Sequence, residues 1–151
     1  ANDTAPTEPV LMHAIEQVEQ ELGISFDVVL VLEPTSPLRS KTTITKAIKM
    51  VASGFESVLA VKQTTDNIGF IKDGVFSPIN TNAPRRRQMR APYYIESSTI
   101  YAATVGYLRE TGTLVSDRWG AVVVEDQEAV DINTENDFEY VEFLIQHRSD
   151  K

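Results

Sequence analysis

Residues 28–39, Val28-Val29-Leu30-Val31-Leu32-Glu33-Pro34-Thr35-Ser36-Pro37-Leu38-Arg39, constrain the fold of this chain more than any other stretch. Five branched apolar residues in succession, closed by turn chemistry, read as a strand buried on both faces. Pro34 has no N–H and drives Glu33 towards an extended conformation, so the chain leaves the sheet at Glu33. Open α/β sheets bind ligands outside the carboxyl ends of their strands. Glu33, Thr35, Ser36 and Arg39 therefore stand where a ligand is expected. The alternative is a rigid polar turn that merely follows a buried strand.

The rest of the chain fits an α/β domain. Its 151 residues are enough for one sizeable core, and 42% apolar with 24% charged is an ordinary globular balance. A net charge of −8 argues against a general nucleic-acid binder, whose surface must neutralise phosphates. No apolar stretch reaches bilayer-spanning length, so neither a nucleic acid nor a membrane is an expected partner. Cysteine is absent, which removes thiolate nucleophiles and thiolate metal sites. His13 and His147 are isolated histidines without the spacing of a metal site. The chain begins Ala1-Asn2-Asp3-Thr4 without Met, as a piece of a longer protein would.

In order along the chain, Leu11, Ala14, Ile15, Val18 and Leu22 make one helical face, with Pro9 near its start and Gly23 after its end. Ser40 is a candidate N-cap for a helix carrying Ile44, Ala47, Ile48 and Val51, which Gly54 ends. Residues 57–61 form a second apolar strand. Strand, helix and strand of these lengths predict a right-handed βαβ unit and a parallel sheet. Residues 67–79 read as a hairpin around Asp73-Gly74, which suits a type I′ turn. Arg85, Arg86, Arg87 and Arg90 then gather four of the fourteen basic residues within six positions. Such a cluster meets a polyanion or an acidic surface, or is simply solvated. Ile100-Tyr101-Ala102 and residues 121–124 are strand-like, and residues 105–110 are a short helix broken at Gly112. Thr134 and Asp137 have the spacing of a capping box, before a terminal helix whose buried stripe is Phe138, Val141, Leu144 and Ile145.

Leu32-Glu33-Pro34-Thr35-Ser36-Pro37-Leu38-Arg39 resembles the L-Q-P-T-S-P-L-R signature of the acylneuraminate cytidylyltransferases, the CMP-sialic acid synthetase family, with Glu33 in place of Gln. With it, four further segments stand in the family's order along the chain. Asp3, Thr4 and Thr7 match a D-T-x-x-S/T helix start, where Thr7 is either a phosphate or hydroxyl contact or an N-cap. Arg87-Gln88 matches the start of R-Q-x-L-P, with Arg90 and Ala91 where Leu and Pro are usual. Ser97-Ser98 replaces the Asn-Gly of N-G-x-I-Y. Asp131 matches the first acid of D-I-D-T-x-x-D, and Asn133 stands at the second.

The resemblance implies a three-layer α/β sandwich with a mostly parallel sheet, of the nucleotide-diphospho-sugar transferase type. This would be a partial cytidylyltransferase-like domain over residues 1–151, with a dimerisation insert at about residues 67–95. It implies a cytoplasmic homodimer that joins an acidic nonulosonate-like sugar to CMP from CTP. Mg²⁺ would be held by Asp131 and Asn133. Arg87, acting across the dimer, and Asp131 would be catalytic, and Thr7, Glu33, Thr35, Ser36, Ser97 and Ser98 would contact substrate. The family's N-terminal strand and its basic A-R-x-G-S-K-G-x-P-x-K-N loop have no counterpart among the seven scattered glycines. The 151 residues alone are therefore not expected to turn over CTP, and a non-catalytic binding or dimerisation module is the alternative. Glu33 only accepts hydrogen bonds and would repel a sugar carboxylate, which points away from common sialic acid.

Overall fold

The computed structural model describes residues 6–147. In chain order it contains α1 (Thr7–Leu22), β1 (Val28–Val31), α2 (Lys41–Ala52), β2 (Ser57–Thr64), β3 (Gly69–Lys72), β4 (Val75–Pro78), a 3₁₀ turn (Arg87–Met89), β5 (Tyr93–Thr104), α3 (Val105–Thr111), β6 (Gly120–Val124) and α4 (Glu135–Gln146). Local chemistry sets the helix limits. Ser40 accepts from the Thr43 N–H at 3.1 Å at the start of α2, and Thr104 does the same for Tyr107 at the start of α3. Thr134 and Asp137 complete the expected capping box of α4. Gly23 ends α1 in the left-handed region at φ 64°.

The sheet has the order β1-β5-β2-β6. β1, β2 and β6 run in one direction, as the βαβ reading requires, but β1 and β2 are not neighbours. β5 lies between them, antiparallel to both, and the sheet is mixed. The reason is the length of β5: it returns from the hairpin segment as a strand of twelve residues where the sequence marked only three.

Alternation along β1 builds the three layers. Val28 and Leu30 pack with Ala47 and Val51 of α2 and with Val58, Ala60, Ile100 and Ala102. Val29 and Val31 face the other way, onto Ile15 of α1, Leu108 of α3 and Ala103. Both faces are covered as predicted. Yet all four residues of β1 remain half-exposed, because β1 lies at one edge of the sheet among the described residues. α4 packs by Val141 and Leu144 onto Leu38 of the turn after β1. Its predicted stripe is only half buried: Phe138 and Ile145 are 55% and 56% exposed. On α1, Ile15 is buried but Leu22 is 62% exposed.

β3 and β4 form a separate two-stranded sheet, turning at Asp73 (φ 52°) and Gly74 (φ 78°). These are the positive φ values a type I′ turn needs. Phe70, Ile71 and Val75 of this hairpin are mostly exposed.

Candidate active site at the end of the first strand

Two features place the polar residues. The first is the turn after β1. Ser36 N–H donates to Glu33 C=O at 3.1 Å, and Leu38, 1% exposed, anchors the turn in the core. The second is a bulge in β5. Val31–Tyr101 is the last β1–β5 pair, and β2 pairs Leu59 with Tyr101 but Ala60 with Ser97. Ser98, Thr99 and Ile100 are therefore extra residues without partners on β2. A bulge of this kind re-aims side chains. Ser98 comes to face the turn, its Oγ 3.0 Å from Ser36 Oγ.

Asp131 closes the group. Its Oδ1 accepts from Ser36 Oγ at 3.3 Å and its Oδ2 from the Asn133 amide at 3.0 Å. The Ile132 N–H donates to Thr35 C=O at 2.8 Å, which ties the two turns together. Hydrogen bonding from Thr35 above all, opposed by burial and helped by Asn133, Ser98 and Ser36, holds the Asp131 carboxyl below the usual range. Asp131 is thus an ionised carboxylate surrounded by neutral donors.

Arg39 stands behind this group. Its Nε donates to Thr99 C=O at 3.0 Å and its Nη2 to Glu33 C=O. Burial draws this guanidinium below its ordinary pKa, with Glu33 pulling the other way.

Beside the group lies a cleft of about 400 Å³, lined by Thr7, Glu8, Glu33, Glu96, Tyr101 and Trp119 over an apolar floor of Val31 and Leu114. The Tyr101 hydroxyl donates to Glu96 at 2.7 Å. Burial first, then this bond and the nearby Glu33 and Asp131 charges, raise the Tyr101 pKa.

The structure thus gathers Thr35, Ser36, Ser98, Asp131 and Asn133, and sets Thr7 and Glu33 in the adjoining cleft. Thr7 is the first residue of α1 and not its N-cap, a position that Pro6 holds; Asp3 and Thr4 lie outside the described residues. Ser97 does not join the group. It is 6% exposed and its hydroxyl is 2.7 Å from that of Thr99, which donates to Glu128 C=O. Arg87 is held elsewhere. Its Nε donates to Thr65 Oγ1 at 2.9 Å and its Nη2 lies 3.5 Å from Asp66. Arg90 spends its guanidinium on the carbonyls of Pro84, Thr65 and Arg85. Sequence reading missed Glu8, next to Thr7, and Glu96 and Trp119, which are remote in the chain, and it set Arg39 among ligand-facing residues where its guanidinium instead holds the carbonyls of Thr99 and Glu33.

A helix–sheet–helix domain with a polar site at strand carboxyl ends holds that site where open α/β sheets bind ligands. The solved 4-diphosphocytidyl-2C-methyl-D-erythritol synthase from Anaerococcus prevotii DSM 20548 shares the fold. Its TM-score is 0.63 at 15% identity, over 95% of this chain and 68% of that one. In sequence, the chain is similar to the post-translational flagellin modification protein B of Campylobacter coli, at 26% identity over 154 aligned positions, 99% of this chain and 66% of that protein. It is likewise similar to the CMP-N,N'-diacetyllegionaminic acid synthase of Legionella pneumophila subsp. pneumophila, at 26% over 138 positions, 84% of this chain and 57% of the relative. The chain therefore spans under two thirds of the length of these curated relatives. No protein-family model matches it.

Proposed function

We propose that these residues carry the sugar- and metal-facing side of a CMP-sugar nucleotidyltransferase acting on a nonulosonate-like acid. The observation that supports this most is Asp131, ionised at strand carboxyl ends within the Thr35–Ser36–Ser98–Asn133 group, in a chain similar to a CMP-diacetyllegionaminate synthase. In the reaction, the anomeric hydroxyl of the sugar attacks the α-phosphorus of CTP. The bond from that phosphorus to the bridging oxygen breaks, pyrophosphate leaves, and the hydroxyl proton passes to solvent or a base. Catalysis of this type rests on positioning and on neutralising phosphate charge.

The donor set fits one Mg²⁺ shared with the substrate's phosphates. Asp131 would supply the carboxylate and Asn133, whose amide NH₂ is committed to Asp131, its Oδ1. Among the described residues no group of three or more His, Cys, Asp or Glu could hold a metal, and Mg²⁺ takes only one or two protein ligands when phosphates complete its shell. Bound there, the ion would neutralise triphosphate charge. Thr35, Ser36 and Ser98 would keep Asp131 ionised and aimed. Thr7 and Glu33 would meet the sugar in the cleft, whose lining includes Glu8, Glu33 and Glu96 but no Lys or Arg. The sugar's carboxylate would therefore lie outside this cleft, or meet an arginine of a second copy. We assign that part to Arg87, in a homodimer formed through the β3–β4 hairpin. The alternative, a binding module without turnover, draws support from Asn133, which here donates to Asp131 where the resembled motif has a second acid.

The test is pyrophosphate release from CTP with a legionaminate, a pseudaminate or a sialate as acceptor, by the complete protein that contains these residues. Release with a nonulosonate that Asp131→Ala abolishes supports the enzyme. Nonulosonate-independent binding of CTP without release supports the module.

A further inference from the structure

We infer that Arg39 is a positioning residue, a side chain that ties the backbones of both halves of the Asp131 donor shell to each other. The inference rests on the proposed function only for what the shell is for; the geometry stands by itself. Thr35 and Ser36 sit on the turn after β1, and Ser98 sits on the β5 bulge. Side chains join these pieces, through the Ser36–Ser98 contact and Asp131, but no ladder pairing does, because β1 ends at Val31 and the bulged residues lack partners on β2. Arg39 spans the gap. Its Nε takes the carbonyl of Thr99, next to Ser98, and its Nη2 takes the carbonyl of Glu33, at the start of the turn.

The planar fork of arginine suits this task. It offers several N–H donors in fixed directions and can hold two carbonyls from different segments at once, whereas lysine presents a compact ammonium on a flexible stem. The Thr99 carbonyl is left over by an interrupted ladder and needs a partner, and the Glu33 carbonyl, which already accepts from Ser36 N–H, takes Arg39 as a second donor. Thr99 is fully buried, so its carbonyl has little recourse to water. Without Arg39 the turn and the bulge lose their backbone brace and keep only side-chain contacts such as Ser36–Ser98. Asp131 would then keep Asn133, its neighbour in the chain, but lose the fixed placement of Thr35, Ser36 and Ser98. Arg39 has no hydrogen bond to Asp131, and it meets the cleft's lining only at the backbone carbonyl of Glu33, so it acts on Asp131 through these groups.

The test compares the wild type with Arg39→Lys and Arg39→Ala by two readouts. The first is hydrogen exchange at the Ile132 amide, whose bond to Thr35 C=O reports the docking of the two turns. The second is the affinity for Mn²⁺ in the presence of CTP, followed by electron paramagnetic resonance. Partners beyond the ligating atoms typically change metal affinity about 10–100-fold. We expect both variants to melt within a few degrees of the wild type. We also expect Ile132 to exchange at least about tenfold faster in both and Mn²⁺ affinity to fall by a similar factor, with lysine failing to rescue. Wild-type Ile132 protection in Arg39→Lys overturns the inference, and that variant decides if Arg39→Ala does not fold. If the wild type itself binds no Mn²⁺ with CTP, the proposed function fails, and Ile132 exchange alone still decides the role of Arg39.

Discussion

Asp131 and Asn133 form the most informative pair of side chains. Asn133 gives its NH₂ to Asp131 Oδ2 at 3.0 Å, so it stabilises the lone carboxylate that an acid in its place would repel. Asn133→Asp should therefore lower stability without divalent ions by about 1 kcal/mol, through a lost charge-assisted bond and a new like-charge contact. It should recover with Mg²⁺ and CTP, because a second charge tightens the ion. Thermal melts with and without Mg²⁺ and CTP check this, and a melt insensitive to both would remove the pair from any metal role. Glu19 gives a prediction about acid stability. Its carboxylate accepts from the Phe26 N–H at 2.9 Å and from Arg109. The Phe26 bond, opposed by burial and aided by Arg109, holds its pKa below 4.5. A carboxyl depressed in the folded state stabilises above its unfolded pKa, and this contribution is lost as pH falls through the folded value. Glu19→Gln should lower stability at neutral pH and flatten its fall below about pH 4.5, read from denaturant midpoints across pH. At this scale the sequence located Thr35, Ser36 and Asp131 through the two prolines and a motif. It could not separate Ser97 from Ser98, because a bulge decides which of two adjacent serines faces the site, and the bulge is a property of the pairing with β2.

Among the elements, those with strong local signals were legible. Gly23, Ser40 and the Thr134–Asp137 box mark helix limits by their own hydrogen bonds, and Asp73-Gly74 marks the hairpin by its φ values. Elements set by distant partners were not. β5 was seen over only three residues because Tyr93, Tyr94 and Ile95 carry no alternating burial. The half-buried stripes of α1 and α4 likewise show that helical spacing reveals an apolar face without revealing what covers it. The hairpin bears the clearest consequence. Phe70 and Ile71 are 71% and 76% exposed, and an isolated hairpin with such residues gains by burying them against a partner. Ile71→Glu should shift the chain from dimer to monomer, measured by light scattering at graded concentrations while the melting temperature holds. A wild type that is monomeric at high concentration would contradict the dimer and, with it, the role of Arg87 across the interface.

On the scale of the whole molecule, β1 anticipates the architecture. Its alternate residues feed two separate cores, which is what makes three layers, and its end at Val31, followed by the Pro34–Pro37 turn, puts that turn where the β5 bulge and the Asp131 turn converge. What one strand could not disclose is the strand order, since β5 intervenes between two strands that a βαβ unit links. The central claim is that the convergence of these segments is a nucleotide–metal site, and it is tested most directly by ¹⁵N–¹H spectra of the labelled protein titrated with CTP, with and without Mg²⁺. The account predicts shifts at the amides of Ser36, Ser98, Ile132 and Asn133 that need both CTP and Mg²⁺ and that Asp131→Ala removes. No shift at millimolar CTP, or the same Mg²⁺-dependent shifts in Asp131→Ala, would contradict it.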